Sequence, residues 1–211
     1  HPDIRVVPHP AGADLRLSPR EEVPGRILFL GAMGRPLNVE AALFFHEKVF
    51  PRVREKFPGA EFRVVGGNPP YRQRELADRD PSIRVTGFVE NIGEQYRAAA
   101  VFVAPILVGG GIIVKILDAM AAGVPVVTTA YGNEGIGARD GEEILVAGSP
   151  EEFAGKVIAL LEDGGLRRQV GDRGKEFVRR NYDKEAILQG LEGVLSETAA
   201  RAQAPPTLSG R

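Results

Sequence analysis

Short apolar runs alternate along the chain with longer amphipathic stretches. Residues 26–30, 62–65, 83–86, 101–104 and 124–128 are runs of strand length, and 143–147 predicts a sixth, shorter strand. Between them the period becomes helical. Residues 39–57 place Ala42, Phe45, Val49 and Val53 on one face, with Asn38 as N-cap and Gly59 as stop. Short helices are predicted over 71–77 and 92–99. Residues 112–122 read as a helix that is apolar nearly all round. Past the sixth strand, 150–161, 165–179 and 183–200 read as helices. The first 25 residues are proline-rich and irregular after Val7, and 204–211 are expected to be disordered.

Strands that are apolar on both faces, alternating with helices, imply an α/β fold with a doubly wound parallel sheet, Rossmann-like in class. The expected division is an entry segment (1–25), one nucleotide-binding-type domain (26–182), a C-terminal helix (183–203) and the tail. Such sheets take ligands beyond the carboxyl ends of their strands. That rule directs attention to Gly31, Gly66, Gly87, Pro105 and Thr128.

Composition narrows the chemistry. With 211 residues, one domain with one good core is the default. The net charge of −1 favours neither nucleic acid nor an anionic membrane as main partner. There is no cysteine, which removes disulfides and thiolate metal sites, and His1, His9 and His46 lack metal-ligand spacing. No apolar run approaches the ~20 residues of a membrane span. The start at His1, beside a strand-like run, is expected to be a cut from something longer. Three nucleotide or hydrolase signatures fail. The first turn, Gly31-Ala32-Met33-Gly34, is not a dinucleotide fingerprint, and no acid follows the second strand at Gly66-Gly67-Asn68. Neither a phosphate-binding P-loop nor a hydrolase nucleophile elbow occurs.

The remaining signal is Gly109-Gly110-Gly111, between the fourth strand and the apolar helix. It is either a flexible turn or an anion cradle, where backbone N–H groups and the helix dipole meet a negative charge. In the helix that follows, only Lys115 and Asp118 are charged, and they share one face. They form either an ordinary i,i+3 pair or a polar strip lining a cleft, Lys115 for a phosphate and Asp118 for ribose hydroxyls.

These stretches, taken together, resemble the C-terminal domain of GT-B glycosyltransferases, in the retaining group called family 4 or group 1. The resemblance runs from about Ile4 to about Leu195. It rests on residues 4–14 (the strand entering the domain), 29–38 (first strand and turn), 85–89, 101–105, and above all 108–127. It implies a nucleoside diphosphate sugar as donor, transfer with retention to a glycan or other acceptor, and no metal or other cofactor. Gly109, Gly110, Gly111 and Ile112 would hold pyrophosphate and sugar. Lys115 and Asp118 would serve diphosphate and ribose, and Gly87, Phe88 and Val89 would flank the base. Arg35 reads either as a second phosphate contact or as a solvated turn residue, and Glu134 is the nearest acid after the fifth strand. The family's paired acids are altered: Gly110 stands eight residues before Asp118, and Ile113 replaces a frequent arginine.

The resemblance also implies an N-terminal acceptor-binding domain as partner, without which this chain would bind donor but not turn over. It implies a cytoplasmic protein, peripheral to a membrane in some members, and polysaccharide biosynthesis as the common setting. A non-catalytic nucleotide-binding module and a nucleotide-sugar epimerase of the same fold are the alternatives. The apolar face Ile187, Leu188, Leu191, Val194 and Leu195 is expected to be exposed and prone to self-association.

Overall fold

The computed structural model describes Ala11, residues 19–109 and residues 111–203. Most of the entry segment, the tail and Gly110 therefore lie outside the described residues. Within them, β1 (Arg26–Leu30), β2 (Glu61–Val65), β3 (Ile83–Gly87), β4 (Val101–Ala104), β5 (Val126–Thr128) and β6 (Leu145–Val146) form one sheet. Its order is β3-β2-β1-β4-β5-β6 and every pairing is parallel. The expected doubly wound, Rossmann-like sheet is thus present.

Both faces of the central strands are covered, which is why β4 and β1 from Ile27 on are apolar without alternation, whereas the edge strand β3 turns Arg84 and Thr86 outward. Ile27 and Phe29 pack to one side with Val101 and Val103, while Leu28, Phe102 and Ala104 pack to the other. The first side is closed by α1 (Pro36–Phe44), α2 (Phe50–Lys56) and α7 (Pro150–Glu162). The second is closed chiefly by α5 (Val114–Ala121) and the end of α8 (Gly164–Asn181). The helices α3 (Tyr71–Arg79), α4 (Ile92–Ala98), α6 (Ala130–Glu134) and α9 (Lys184–Gln203) complete the chain order. On α9, Leu188, Leu191 and Leu195 are exposed, and among the described residues no helix is long and apolar enough to cross a membrane.

The structure corrects several boundaries. The helix expected over 39–57 begins at Pro36, with Arg35 as N-cap, so Asn38 is not the cap. It is also interrupted by a π turn over Phe45–Val49, where the N–H of Phe50 bonds to the carbonyl of Phe45. Pro51 supplies the reason. It has no N–H for the carbonyl of Glu47, and its ring crowds the preceding turn. Arg52 Nη1 donates to the nearby carbonyl of Lys48 at 2.6 Å. The helix expected from Ile112 starts at Val114 instead, β5 starts at Val126, and β6 is two residues long. The helix α6 has five residues, too short to show a period.

From Pro19 the entry segment packs on the amino edge of the sheet. Arg20 Nη1 donates to the carbonyl of Gly123 at 2.9 Å, its Nη2 reaches that of Ala99, and Glu22 pairs with Arg167 at 2.7 Å. These clamps leave the opposite, carboxyl edge to the candidate site.

Candidate functional site

Two connections part company at the carboxyl edge between β1 and β4. The chain leaving β1 goes to α1 on one face, and the chain leaving β4 goes to α5 on the other. A crevice must open where sheet order reverses in this way. A cavity of about 660 Å³ lies there, walled by Gly31, Ala32, Arg35 and Asn38 on the β1 side and by Ile106–Val108 and Ile112–Lys115 on the β4 side. Its rim is apolar: Leu37, Val108 and Ile112 are exposed.

Lys115 is the charged side chain on the β4 side of this cavity. It sits in the first turn of α5, because the helix begins at Val114 rather than at Ile112. Its Nζ donates to Asn38 Oδ1 at 2.8 Å and stands 4.7 Å from the centroid of the Phe29 ring. Burial pushes the ammonium pKa down to about 8. A fall of that size from 10.5 means that holding the charge at neutral pH costs the fold roughly 3 kcal/mol. Such a cost in a crevice marks a functional candidate.

The amide of Asn38 is itself fixed, since Nδ2 donates to the carbonyl of Ala32 at 3.0 Å. A Cβ at Gly31 would lie 2.8 Å from Asn38 Cγ, so glycine there makes room for it. Tyr96, fully buried on α4, donates its hydroxyl to the carbonyl of Lys115 at 3.1 Å and so fixes the first turn of α5. Burial first, and the charge of Asp118 second, push the Tyr96 hydroxyl well above its usual pKa.

The N-terminus of α5 has no side-chain cap, and the residue before it, Ile113, is not helical. Its amides are therefore open to a ligand. Upstream, Gly109 and Gly111 take φ of +133° and +84°, which side-chain-bearing residues rarely adopt. The turn is buttressed from behind. A Cβ on Gly135, just past α6, would lie 2.3 Å from the carbonyl carbon of Gly111 and 2.7 Å from the nitrogen of Ile112. Thr129 caps α6 and donates to the carbonyl of Ile106 at 2.6 Å, tying the β5 and β4 connections together.

Of the residues singled out from sequence, Lys115, Ile112 and Arg35 line the cavity. Arg35 is exposed at the first turn of α1. Glu134 is exposed at the end of α6, next to the Gly135 contact with the glycine turn. Asp118 is half-buried one turn beyond Lys115, toward Tyr96, and is not on the cavity wall. Gly87 closes β3 and Phe88 and Val89 follow it, three strands along the edge from β4, about 14 Å at ordinary strand spacing. Phe88 is 79% exposed there. Gly110 lies outside the described residues. Asn38, Tyr96, Thr129 and Gly135 were not anticipated as parts of the site. Asn38 bridges 77 residues of sequence to reach Lys115, and no local pattern announces such a contact.

The sequence model of the family described as "Glycosyl transferases group 1" matches residues 24–163. The chain belongs to that family. Among curated relatives of this group 1 domain, a phosphatidyl-myo-inositol mannosyltransferase of Mycobacterium leprae is 30% identical over 178 residues, which is 82% of this chain and 46% of that protein. The chain thus spans about half the length of the curated relatives it matches.

Among solved structures, sucrose-phosphate synthase from Thermosynechococcus elongatus superposes with a TM-score of 0.69 at 22% identity, covering 93% of this chain and 53% of that one. HepE of Anabaena, solved with UDP and glucose, gives 0.66 at 14% identity over 82% and 48% of the two chains. The C-terminal domain of a group 1 transferase from Francisella tularensis gives 0.56 at 21% identity, covering 84% of this chain and 97% of that domain. These likenesses give the group 1 domain its GT-B, Rossmann-like fold and agree with its being the C-terminal half.

Proposed function

We propose that this group 1 domain binds a nucleoside diphosphate sugar and serves as the donor half of a retaining glycosyltransferase acting on a glycan or other acceptor. The observation that carries the reading is the ammonium of Lys115, held in a cavity at the strand-order switch beside an uncapped helix N-terminus. That is a site for an anion with an organic body on either side. The complex of the Anabaena neighbour with UDP and glucose is consistent with it.

The chemistry follows from charge. When the bond from the anomeric carbon to the diphosphate breaks, the electron pair leaves with the phosphate oxygen. Lys115 and the amides of Gly111–Val114 stand ready for that charge, and preorganised donors of this kind are usually the largest single contribution to catalysis. Arg35 supplies a second cation on the opposite wall. The family resemblance assigns Asp118, a turn beyond the cavity wall, to the ribose hydroxyls, and Gly87, Phe88 and Val89 to the base. Glu134 borders the sugar end through the Gly135 contact. No metal is required when two cations and a helix N-terminus carry the leaving charge. The acceptor is brought by a second, N-terminal domain, so this chain alone binds donor without turnover. The whole enzyme works in the cytoplasm, where some acceptors lie at a membrane surface.

Calorimetric titration with UDP, GDP and ADP tests the reading. One of the three is expected to bind, and Lys115→Ala should weaken diphosphate binding far more than binding of the matching nucleoside. Failure of all three to bind would sink it.

A further inference from the structure

The partner of Lys115 is an amide, where a buried ammonium more commonly meets a carboxylate. The choice has chemical content. An amide can accept from the ammonium through its oxygen and donate to the carbonyl of Ala32 through its nitrogen, and Asn38 does both. A carboxylate could only accept; it would repel that carbonyl and neutralise the lysine. The ammonium keeps two further N–H donors and its full charge. Arg35 and Glu40 stand on the α1 side of the same cavity, Tyr96 approaches from α4, and Asp118 lies a turn away on α5.

We propose that Asn38 is a positioning residue: its amide holds the Lys115 ammonium at the cavity wall without neutralising it, so that the charge is presented to a diphosphate. The inference rests on the donor-site reading for the identity of the anion, but not for the Asn38–Lys115 linkage. Because the ammonium of the free chain has a pKa near 8, burial being the cause, diphosphate binding should restore its proton. At pH 8 a nucleoside diphosphate is itself fully ionised, so the linkage reads out as uptake of about half a proton per nucleotide bound.

The test uses the full chain. Titration of isotope-labelled lysine by NMR, with the Lys115 signal assigned by its loss in Lys115→Arg, should give a midpoint near 8. Asn38→Ala removes the acceptor and should lower that midpoint. Asn38→Asp adds a charge and should raise it. Calorimetry at pH 8 with the nucleotide that binds best among UDP, GDP and ADP should then show about tenfold weaker binding in both variants. Proton uptake should approach one in Asn38→Ala and vanish in Asn38→Asp. Mere loosening of the fold would admit water and raise the midpoint in both variants. Shifts in the same direction, or no shift, overturn the proposal. Opposite shifts with no nucleotide bound by the wild-type chain support the Asn38 linkage and count against the donor-site reading instead.

Discussion

Replacing Lys115 by methionine should make the protein more stable while removing its affinity for diphosphates. The folded chain holds this ammonium at a pKa of about 8, against 10.5 in water, so below pH 8 the fold carries roughly 3 kcal/mol of desolvation cost that methionine does not. Methionine also loses the hydrogen bond to Asn38 and the contact with the Phe29 ring, together about 1–2 kcal/mol. The net expectation is a gain of about 1–2 kcal/mol at neutral pH. The sign has a pH signature. A lysine whose folded pKa is depressed contributes most above its unfolded pKa and loses that contribution as pH falls through the folded value. The wild-type chain should therefore gain on the variant as pH rises from 8 toward 10, and by pH 10 the advantage of methionine should be gone. Urea denaturation of both proteins at pH 7 and pH 10 measures this directly. A variant less stable than wild type at pH 7, or a difference that does not move with pH, would refute the reasoning.

Three further perturbations separate stability from binding. Gly135→Ala should displace the Gly111–Ile112 turn by about 1 Å, the shortfall of a 2.3 Å contact; a misplacement of that size costs up to ~100-fold in a precise site. The contact is with backbone, so the denaturation midpoint should fall as well, and unchanged UDP, GDP or ADP affinity of the folded variant would show that the turn does not grip ligand. Tyr96→Phe should cost about 1 kcal/mol of stability through the lost bond to the Lys115 carbonyl, read from thermal unfolding. Glu143→Gln should lower stability by about 1–3 kcal/mol at pH 7. Burial opposes the charge of Glu143, but hydrogen bonds from Arg139 outweigh it and hold the carboxyl below its usual pKa. This contribution is present above the unfolded carboxyl pKa and lost as pH falls through the folded one. Acid unfolding of the glutamine variant should accordingly be shallower between pH 5 and the acid limit.

What the sequence reveals here follows from what burial does to it. β1 and β4 are legible because both faces are covered, so that every position from Ile27 to Leu30 and from Val101 to Ala104 is apolar. Lys115 is legible because a cation on an otherwise apolar helix stands out. The start of α5 is not, since Ile112 and Ile113 fit an apolar helix as well as an extended turn, and only the glycine geometry upstream decides between them. Asn38 illustrates a second limit. An asparagine before an apolar period reads as a cap, yet Pro36 starts the helix earlier and frees the side chain for a partner on α5. The π turn was legible in principle from Pro51, four residues after the carbonyl it leaves without a partner.

That π turn also says something about how the chain could change over time. It is one residue too many for a regular helix, and the surplus is absorbed between Asn38 and the core contacts of Val49, Phe50 and Val53. Closing that turn into a regular α-helix with every residue kept, as replacing Pro51 by a residue with an N–H would permit, would turn everything upstream by about 100° relative to everything downstream. Asn38 would swing away from Lys115, although no residue at the cavity had been altered. A lineage that replaces Pro51 would therefore be expected to lose its grip on the ligand while keeping every residue of the site, and sequence identity at the site would give no warning.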